Sequence, residues 1–455
     1  MVCCRRLKML SPGAIFLEIA LLAGPAVAAQ SAAEDGPPRP VSIVDQDEID
    51  LSSQSNIVLG VGARALGMGG AFLARPDDAT AATWNPAGLS YLRRPEVSIV
   101  GDILTTRSTL RSRLDLDNSK IEITNLDFVA VTYPFSVKSA SGSAQISYQR
   151  AIPFDGNRTT VTENELELEP LVRTYQGKGG FDVLAFGLGF RPSRSLRVGG
   201  TLNRWFNGYE QRFERTPRRR AERFDRFEMS AWNVNLGLIW SPTETLNLAL
   251  VGKTPFTADA FLYRERTDIV TGEDGEDLPS VPVSHESDNV RLEFPGAWGA
   301  GVSWRPRNNL TLSSDYTRTY WSKARIRNYF TLLQVDEGMP IRDFDSLVWP
   351  NVDAERQGDS IQLRFGVEYI IFAARVKVPL RAGYVNEQIY TLDYRGRAPH
   401  LSSFTAGTGL IAGSALLDVA YQYQQGDYYL PGINYYQAKT HRFYASVIYR
   451  WGGLR

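Results

Sequence analysis

The residue types that could do chemistry are few, and their spacing argues against catalysis. His285, His400 and His441 stand far apart and lack the close pairing of a metal-ligand set. Gly252-Lys253-Thr254 has the end of a phosphate-binding loop, but Asn247 occupies the position where such a loop needs a glycine. No G-x-S-x-G elbow offers a nucleophile. No G-x-G-x-x-G stands between a strand and a long helix. Neither an enzyme nor a resident metal or cofactor is therefore expected. One cluster does have a clear chemistry: Arg215, Arg218, Arg219, Arg220 and Arg223 are expected in one loop. Arginine forks bind phosphate or carboxylate, so this is a candidate anionic-ligand loop. The alternative is a solvated loop whose charges pair with the acidic loop 263–289, which carries Glu273, Asp274, Glu276 and Asp277.

The elements that hold these residues are read from composition and period. Basic and acidic residues number 50 each among 455, so no nucleic-acid partner is expected. Arg5, Arg6 and Lys8 precede an apolar stretch from Ala14 to Leu22, and Ala26-Val27-Ala28-Ala29 supplies small residues for cleavage. Residues 1–29 are thus expected to be a signal peptide. It holds both cysteines, Cys3 and Cys4, so the exported chain would need no disulfide. No other stretch reaches the roughly 18 apolar residues of a membrane helix, so a chain that spans a membrane must do so as a closed barrel.

The remaining texture favours that. Leu417, Val419, Tyr421 and Tyr423 alternate with Asp418, Ala420, Gln422 and Gln424. Ile361, Leu363, Phe365, Val367 and Tyr369 alternate with Gln362, Arg364, Gly366 and Glu368. Strand side chains alternate between faces, so a wall between lipid and a polar lumen needs period two. About fourteen such segments run from residue 95 to 451, in an all-β, antiparallel transmembrane barrel. Short links such as 191–195 and 305–309 alternate with long ones such as 263–289 and 325–359. That asymmetry, with an even count, places both termini on the periplasmic side. The expected organisation is a signal peptide at 1–29, a Pro-rich linker at 30–58, a plug at 59–92 and the barrel at 93–455.

The plug segment carries the most specific motif. Residues 62–89 read GARALGMGGAFLARPDDATAATWNPAGL. Glycine and alanine allow close backbone approach to a wall. Asp77 or Asp78 can cap a short helix through Ala79–Thr83, and Pro86 forces Asn85 out of helical geometry. The set Arg64, Gly69, Gly70, Asp77, Asp78, Asn85, Pro86, Ala87 and Gly88 resembles the N-terminal plug signature of the FadL/TodX-type outer-membrane transporters. PorV/PorQ-like relatives share it.

The resemblance implies an outer-membrane barrel with a plug inside its lumen, and fourteen strands is that family's number. It implies passive uptake of a hydrophobic small molecule such as a long-chain fatty acid. Its partners would be outer-membrane lipid and lipopolysaccharide, with the barrel-assembly machinery acting during insertion. Asn85-Pro86-Ala87 would position the plug against the wall. The PorV-like alternative is a barrel serving as a secretion or surface-attachment partner for other proteins. A continuous apolar cavity would favour transport, and a polar, filled lumen would favour the partner role.

Overall fold

The computed structural model describes residues 60–111, 115–137, 140–164, 171–216, 219–270, 284–327, 358–389, 397–430 and 434–452. The expected signal peptide and linker lie outside the described residues, as does Arg218.

Among the described residues nineteen hydrogen-bonded segments form one antiparallel sheet, and five of its strands are interrupted once, leaving fourteen barrel strands. These are β1 (Glu96–Arg111), β2 (Asp115–Val137), β3 (Ala140–Pro153 and Gly156–Asn164) and β4 (Leu171–Arg191). Next come β5 (Leu196–Phe206 and Gly208–Thr216), β6 (Arg219–Trp240) and β7 (Leu246–Lys253 and Phe256–Val270). β8 (Ser284–Phe294 and Ala297–Arg307), β9 (Leu310–Thr319 and Arg325–Arg327) and β10 (Ser360–Phe372) follow. β11 (Lys377–Gln388), β12 (His400–Ala412), β13 (Ala415–Leu430) and β14 (Asn434–Arg450) complete the wall. β1 pairs with β14 from Glu96↔Arg450 to Arg111↔Tyr435, which closes the barrel and leaves it no free edge. Arg450 Nε lies 2.5 Å from Glu96 Oε1 at that closure.

The barrel is inside out relative to a soluble protein. Ile99, Val131, Ile146, Phe186, Val419 and Val447 point outward and are 47% to 60% exposed. Between them Ser98, Thr132, Gln145, Asp418 and Ser446 are buried in the interior. Only a surrounding bilayer makes the outer face favourable, and this alternation is the one the sequence predicts. Trp232 and Trp240, both exposed, bracket the outward apolar run of β6. Interfacial aromatics sit at such levels.

The strands outrun the bilayer. β2 has 23 residues and β6 has 22, whereas a spanning strand needs about 9–11. The expected arginine loop is therefore corrected. Arg215 lies in β5 and Arg219, Arg220 and Arg223 lie in β6, with Arg215 opposite Ala221 in the hairpin ladder. The expected loop 263–289 is likewise strand through Val270 and again from Ser284. The backbone ladder therefore continues through residues whose sequence has lost the apolar alternation.

Candidate functional site

Residues 60–92 fold as a compact unit inside one end of the barrel. α1 (Ala63–Gly67) is a single turn. Gly69 and Gly70 then take positive φ, 65° and 71°, in a reversal that an L side chain would strain. α2 (Ala81–Trp84) begins two residues later than the expected helix. Asp78 instead builds the turn before it, accepting from Thr80 N at 2.9 Å and Thr80 Oγ1 at 2.6 Å. Asn85 is extended at φ −147°, as a residue before proline should be. It caps a 3-10 helix, Pro86–Tyr91, by accepting from Ala87 N at 3.1 Å. The proline stands at the first helical position, where no N–H is needed. The sequence led to one expected helix, so α1 and this 3-10 helix are additions, although Asn-Pro is a start signal for the latter.

The wall grips the plug by its backbone. Asp315 accepts from Leu73 N at 2.8 Å, and Gln145 donates to Ala79 O at 2.7 Å. Ser143 donates to Leu92 O, Thr405 to Gly67 O and Asn247 to Ala74 O, each at 3.1 Å. Asn85 Nδ2 reaches the plug's own Leu73 O at 3.0 Å and the wall's Leu238 O at 3.3 Å. These bonds come from β3, β6, β7, β9 and β12, so the plug is anchored around the circumference.

Wall glycines make the approach possible. Gly189, Gly199 and Gly237 are register partners on β4, β5 and β6. A Cβ on Gly199 would overlap the Pro86 carbonyl, and one on Gly237 would overlap Asn85 Oδ1. Across the lumen, Gly366 and Gly383 are partners on β10 and β11 and lie against Met68 and Gly69. Thus Asn85, Pro86 and Gly69 meet wall backbone, Gly70 lies against the side chains of Trp84 and Arg364, and Ala87 and Gly88 are buried. Gly88 presses on Pro76.

The charged residues of the motif form a chain into the wall. Arg64 Nη1 bonds Asp77 at 2.6 Å, and its Nε and Nη2 each reach Glu368 at 3.2 Å. Arg381 bonds Glu368 at 2.8 Å and Asp418 at 2.6 Å. Burial alone would raise the Asp77 carboxyl, but Arg64 and Arg75 outweigh it and hold the group at about 2. Burial raises the Asp78 carboxyl, with Arg64 only partly opposing. Burial would lower the Arg64 guanidinium, but Asp77, Glu368 and Asp78 raise it well above its usual range.

Beyond the plug the lumen is two-faced. Phe181, Trp205, Tyr209, Phe227, Phe294 and Trp321 are buried in one apolar cluster on the β3–β9 side. Phe154 stacks on Tyr209 at 4.2 Å, and Phe256 on Phe294 at 4.6 Å. The cluster borders a cavity of about 50 Å³, which Ser147, Gln149, Asn203, Asn233, Asn235 and Lys253 also line. The opposite side is polar, and a cavity of about 150 Å³ there is lined by Asp102, Asp127, Arg364, Gln422 and Arg442, among others. Asp127 faces inward because a β-bulge shifts the β1–β2 register between Val100 and Gly101. The backbone of the arginine hairpin lies in the β5–β6 ladder. His400 and His441 form separate pairs with Asn386 and Tyr421.

The wall is broken between β2 and β3. Pairing covers Phe128↔Gln149 to Val137↔Ala140, and resumes at Glu122↔Asn157. Polar groups fill the break. Arg150 bonds Asp155 and, at 2.5 Å, Asp182, which also accepts from Tyr148 and Asn207.

Solved structures share this architecture. A Pseudomonas putida toluene transporter, TodX, superposes with a TM-score of 0.61 at 13% identity, over 87% of this chain and all of that one. The CymD monoaromatic hydrocarbon channel gives 0.54 at 13% identity, over 87% of this chain and 98% of that one. A Pseudomonas aeruginosa FadL homologue gives 0.54 at 11% identity, over 87% of this chain and all of that one. These likenesses show the fold, a FadL/TodX-type barrel. No curated protein matches the sequence. The BamG family model matches residues 61–336, which takes in the plug and the first nine strands, so the chain belongs to the BamG family.

Proposed function

We propose that the chain carries apolar small molecules across the bacterial outer membrane by passive diffusion. The observation that carries this reading is the buried aromatic compartment inside a barrel whose lumen is plugged. An open aqueous pore gives an apolar solute no advantage, because its transfer into water is unfavourable. A compartment of stacked rings shields it along the way, and the plug denies a parallel path to ions. The toluene and monoaromatic-hydrocarbon channels and the FadL homologue that share the fold support the same class of cargo. Long-chain fatty acids are the finer reading.

The test is permeation into liposomes carrying the barrel, with labelled toluene and oleate as cargo and glucose as control. Faster entry of toluene or oleate, without glucose, supports the reading. Entry no faster than through protein-free liposomes overturns it. Trp205→Asp, which puts a charge among the rings, should abolish the acceleration.

A second reading, a barrel that serves a protein partner, is favoured by one specific observation. The two lumen cavities, about 50 and 150 Å³, are small. Under that reading the permeation assay gives no signal, and a second protein co-purifies in fixed stoichiometry.

A further inference from the structure

Arg197 is the second residue of β5, two positions before Gly199, and like Gly199 it faces the interior at the plug end of the barrel. It is 8% exposed. Its guanidinium lies 4.0 Å from the ring of Tyr91, the last residue of the plug's 3-10 helix. Nη1 donates to Ser241 Oγ at 3.3 Å, whereas the buried Nε has no hydrogen-bond partner among the described residues. The charged side chains within its electrostatic reach are Arg191 and Arg93, both cations. Other buried arginines are neutralised in place: Arg64 lies 2.6 Å from Asp77, Arg381 2.6 Å from Asp418 and Arg442 3.1 Å from Asp102. A buried guanidinium whose charged neighbours share its sign is unfavourable without an anion to offset it. The Tyr91 ring offsets part of the charge through its negative face and leaves Nε unsatisfied.

The surrounding groups are held in position. Arg191 is tied to its own turn, with Nε on Ser193 O at 3.2 Å and Nη2 on Arg194 O at 3.0 Å. Ser241 Oγ donates to Asn247 Oδ1 at 2.8 Å, and Asn247 Nδ2 donates to Tyr91 OH at 3.1 Å. Arg93 is exposed and stands in the short link from the plug to β1. Plug link, β4 and β5 thus bring one guanidinium each to the same place. The rim at this end adds Arg94, Arg194, Arg307, Arg375 and Lys377, all exposed, and among the described turns there Glu244 is the one acid. Exposed charges are screened by salt, so the rim attracts anions without fixing one. Lys377 lies 5.5 Å from the outward Phe372 ring, an arrangement that suits the headgroup boundary of a bilayer. Phosphate groups of lipids are therefore close at hand.

We propose that Arg197, Arg191 and Arg93 form a phosphate-binding site at the mouth of the plug, where the bound group neutralises the buried guanidinium and ties the end of the plug to β4 and β5. Three arginine forks suit a phosphate, with its several acceptor oxygens and up to two negative charges, better than a single carboxylate. Two sources carry that group: the headgroup of an anionic phospholipid in the adjoining leaflet, and soluble phosphate. None of the three arginines borders the aromatic compartment, so the site stands apart from the transport reading.

The experiment titrates the full chain, in a non-ionic detergent and chloride buffer, with inorganic phosphate and separately with dihexanoyl phosphatidylglycerol, by calorimetry. Saturable binding of at least one probe is expected, and the tighter of the two names the source. Arg197→Gln should weaken it about tenfold or more, the effect of losing a charge-assisted hydrogen bond. Arg307→Gln with Arg375→Gln, on the β8–β9 and β10–β11 turns, should leave it nearly unchanged. Melting gives an independent reading. The tighter probe should raise the Tm of the native chain and not that of Arg197→Gln. In chloride alone Arg197→Gln should melt no lower than the native chain, because it removes an uncompensated charge. No saturable binding of either probe, or binding that Arg197→Gln leaves intact, would overturn the site. An equal loss in the double variant would reduce it to the diffuse charge of the rim and overturn it too. So would a lower Tm of Arg197→Gln in chloride, since Arg197 would then already have its partner.

Discussion

Arg64 of the plug and Glu368 of β10 are joined by two hydrogen bonds of 3.2 Å, and this pair ties the plug's charge to the wall. Glu368 is also bonded by Arg381, so a continuous run of alternating charges leads from Asp77 to Asp418. Removing one partner of a buried pair costs about 3–5 kcal/mol, because the other charge is left uncompensated. Arg64→Met strands Asp77, Asp78 and Glu368 together. It should loosen the plug and raise ion conductance in planar bilayers while the barrel still folds. Unchanged conductance would remove Arg64 as the latch.

The same pair makes a pH prediction. Asp77 sits at about 2, below its usual value of 3.8. A depressed carboxyl contributes stability that is complete above the unfolded value and is lost as pH falls toward the folded one. Plug closure should therefore hold from pH 7 to about pH 4 and weaken only below that, toward pH 2. Asp78 has the opposite sign, since its raised pKa makes the ionised form unfavourable in place. Asp78→Asn keeps the acceptor for Thr80 and should leave closure intact, whereas Asp77→Asn should raise conductance already at pH 7. Conductance recorded across pH for both variants checks this.

Gly237 should be intolerant for a reason local to the plug. A valine there collides with Asn85 Oδ1 and Pro86, and overpacking costs about 1–3 kcal/mol. Gly252→Val is the matched control, because nothing lies within 4 Å of its Cβ position. Protease sensitivity of residues 60–92 should rise in the first variant and not in the second.

The outward face can be tested on a single strand. Val419 is 52% exposed toward lipid, whereas Gln424 of the same strand lines the polar cavity. Arginine on the lipid face near the midplane costs about 2–4 kcal/mol, and a lumen position can hydrate it. Val419→Arg should impair heat-modifiable folding into bilayers far more than Gln424→Arg.

Much of this was legible in residue order, for physical reasons. The alternation around Leu417–Tyr423 and Ile361–Tyr369 reports a wall with two solvents, and the structure keeps the same faces. Asn85-Pro86 declared a helix boundary through the steric rule for residues before proline. Other features were not legible. Asp127 follows the outward Leu126, yet it and Phe128 are both buried, because a bulge there adds a residue that period-two reading cannot see. Gly199 and Gly237 carry no sign of their role in the sequence, since the backbone they accommodate is more than a hundred residues away. The hairpin around Arg215 and Arg223 reads as a loop because its charged residues interrupt the apolar alternation, although the backbone ladder continues. Pro255 and Pro295 did carry a signal. A proline inside a strand-like run marks an edge or a break, and here two of them face each other.

The central claim is that residues 60–92 obstruct the lumen of a barrel that closes without them. Deleting those residues and recording ion conductance in planar bilayers tests it most directly. The account predicts a folded, heat-modifiable barrel whose single-channel conductance rises well above that of the intact chain. A folded barrel with conductance equal to that of the intact chain would contradict it.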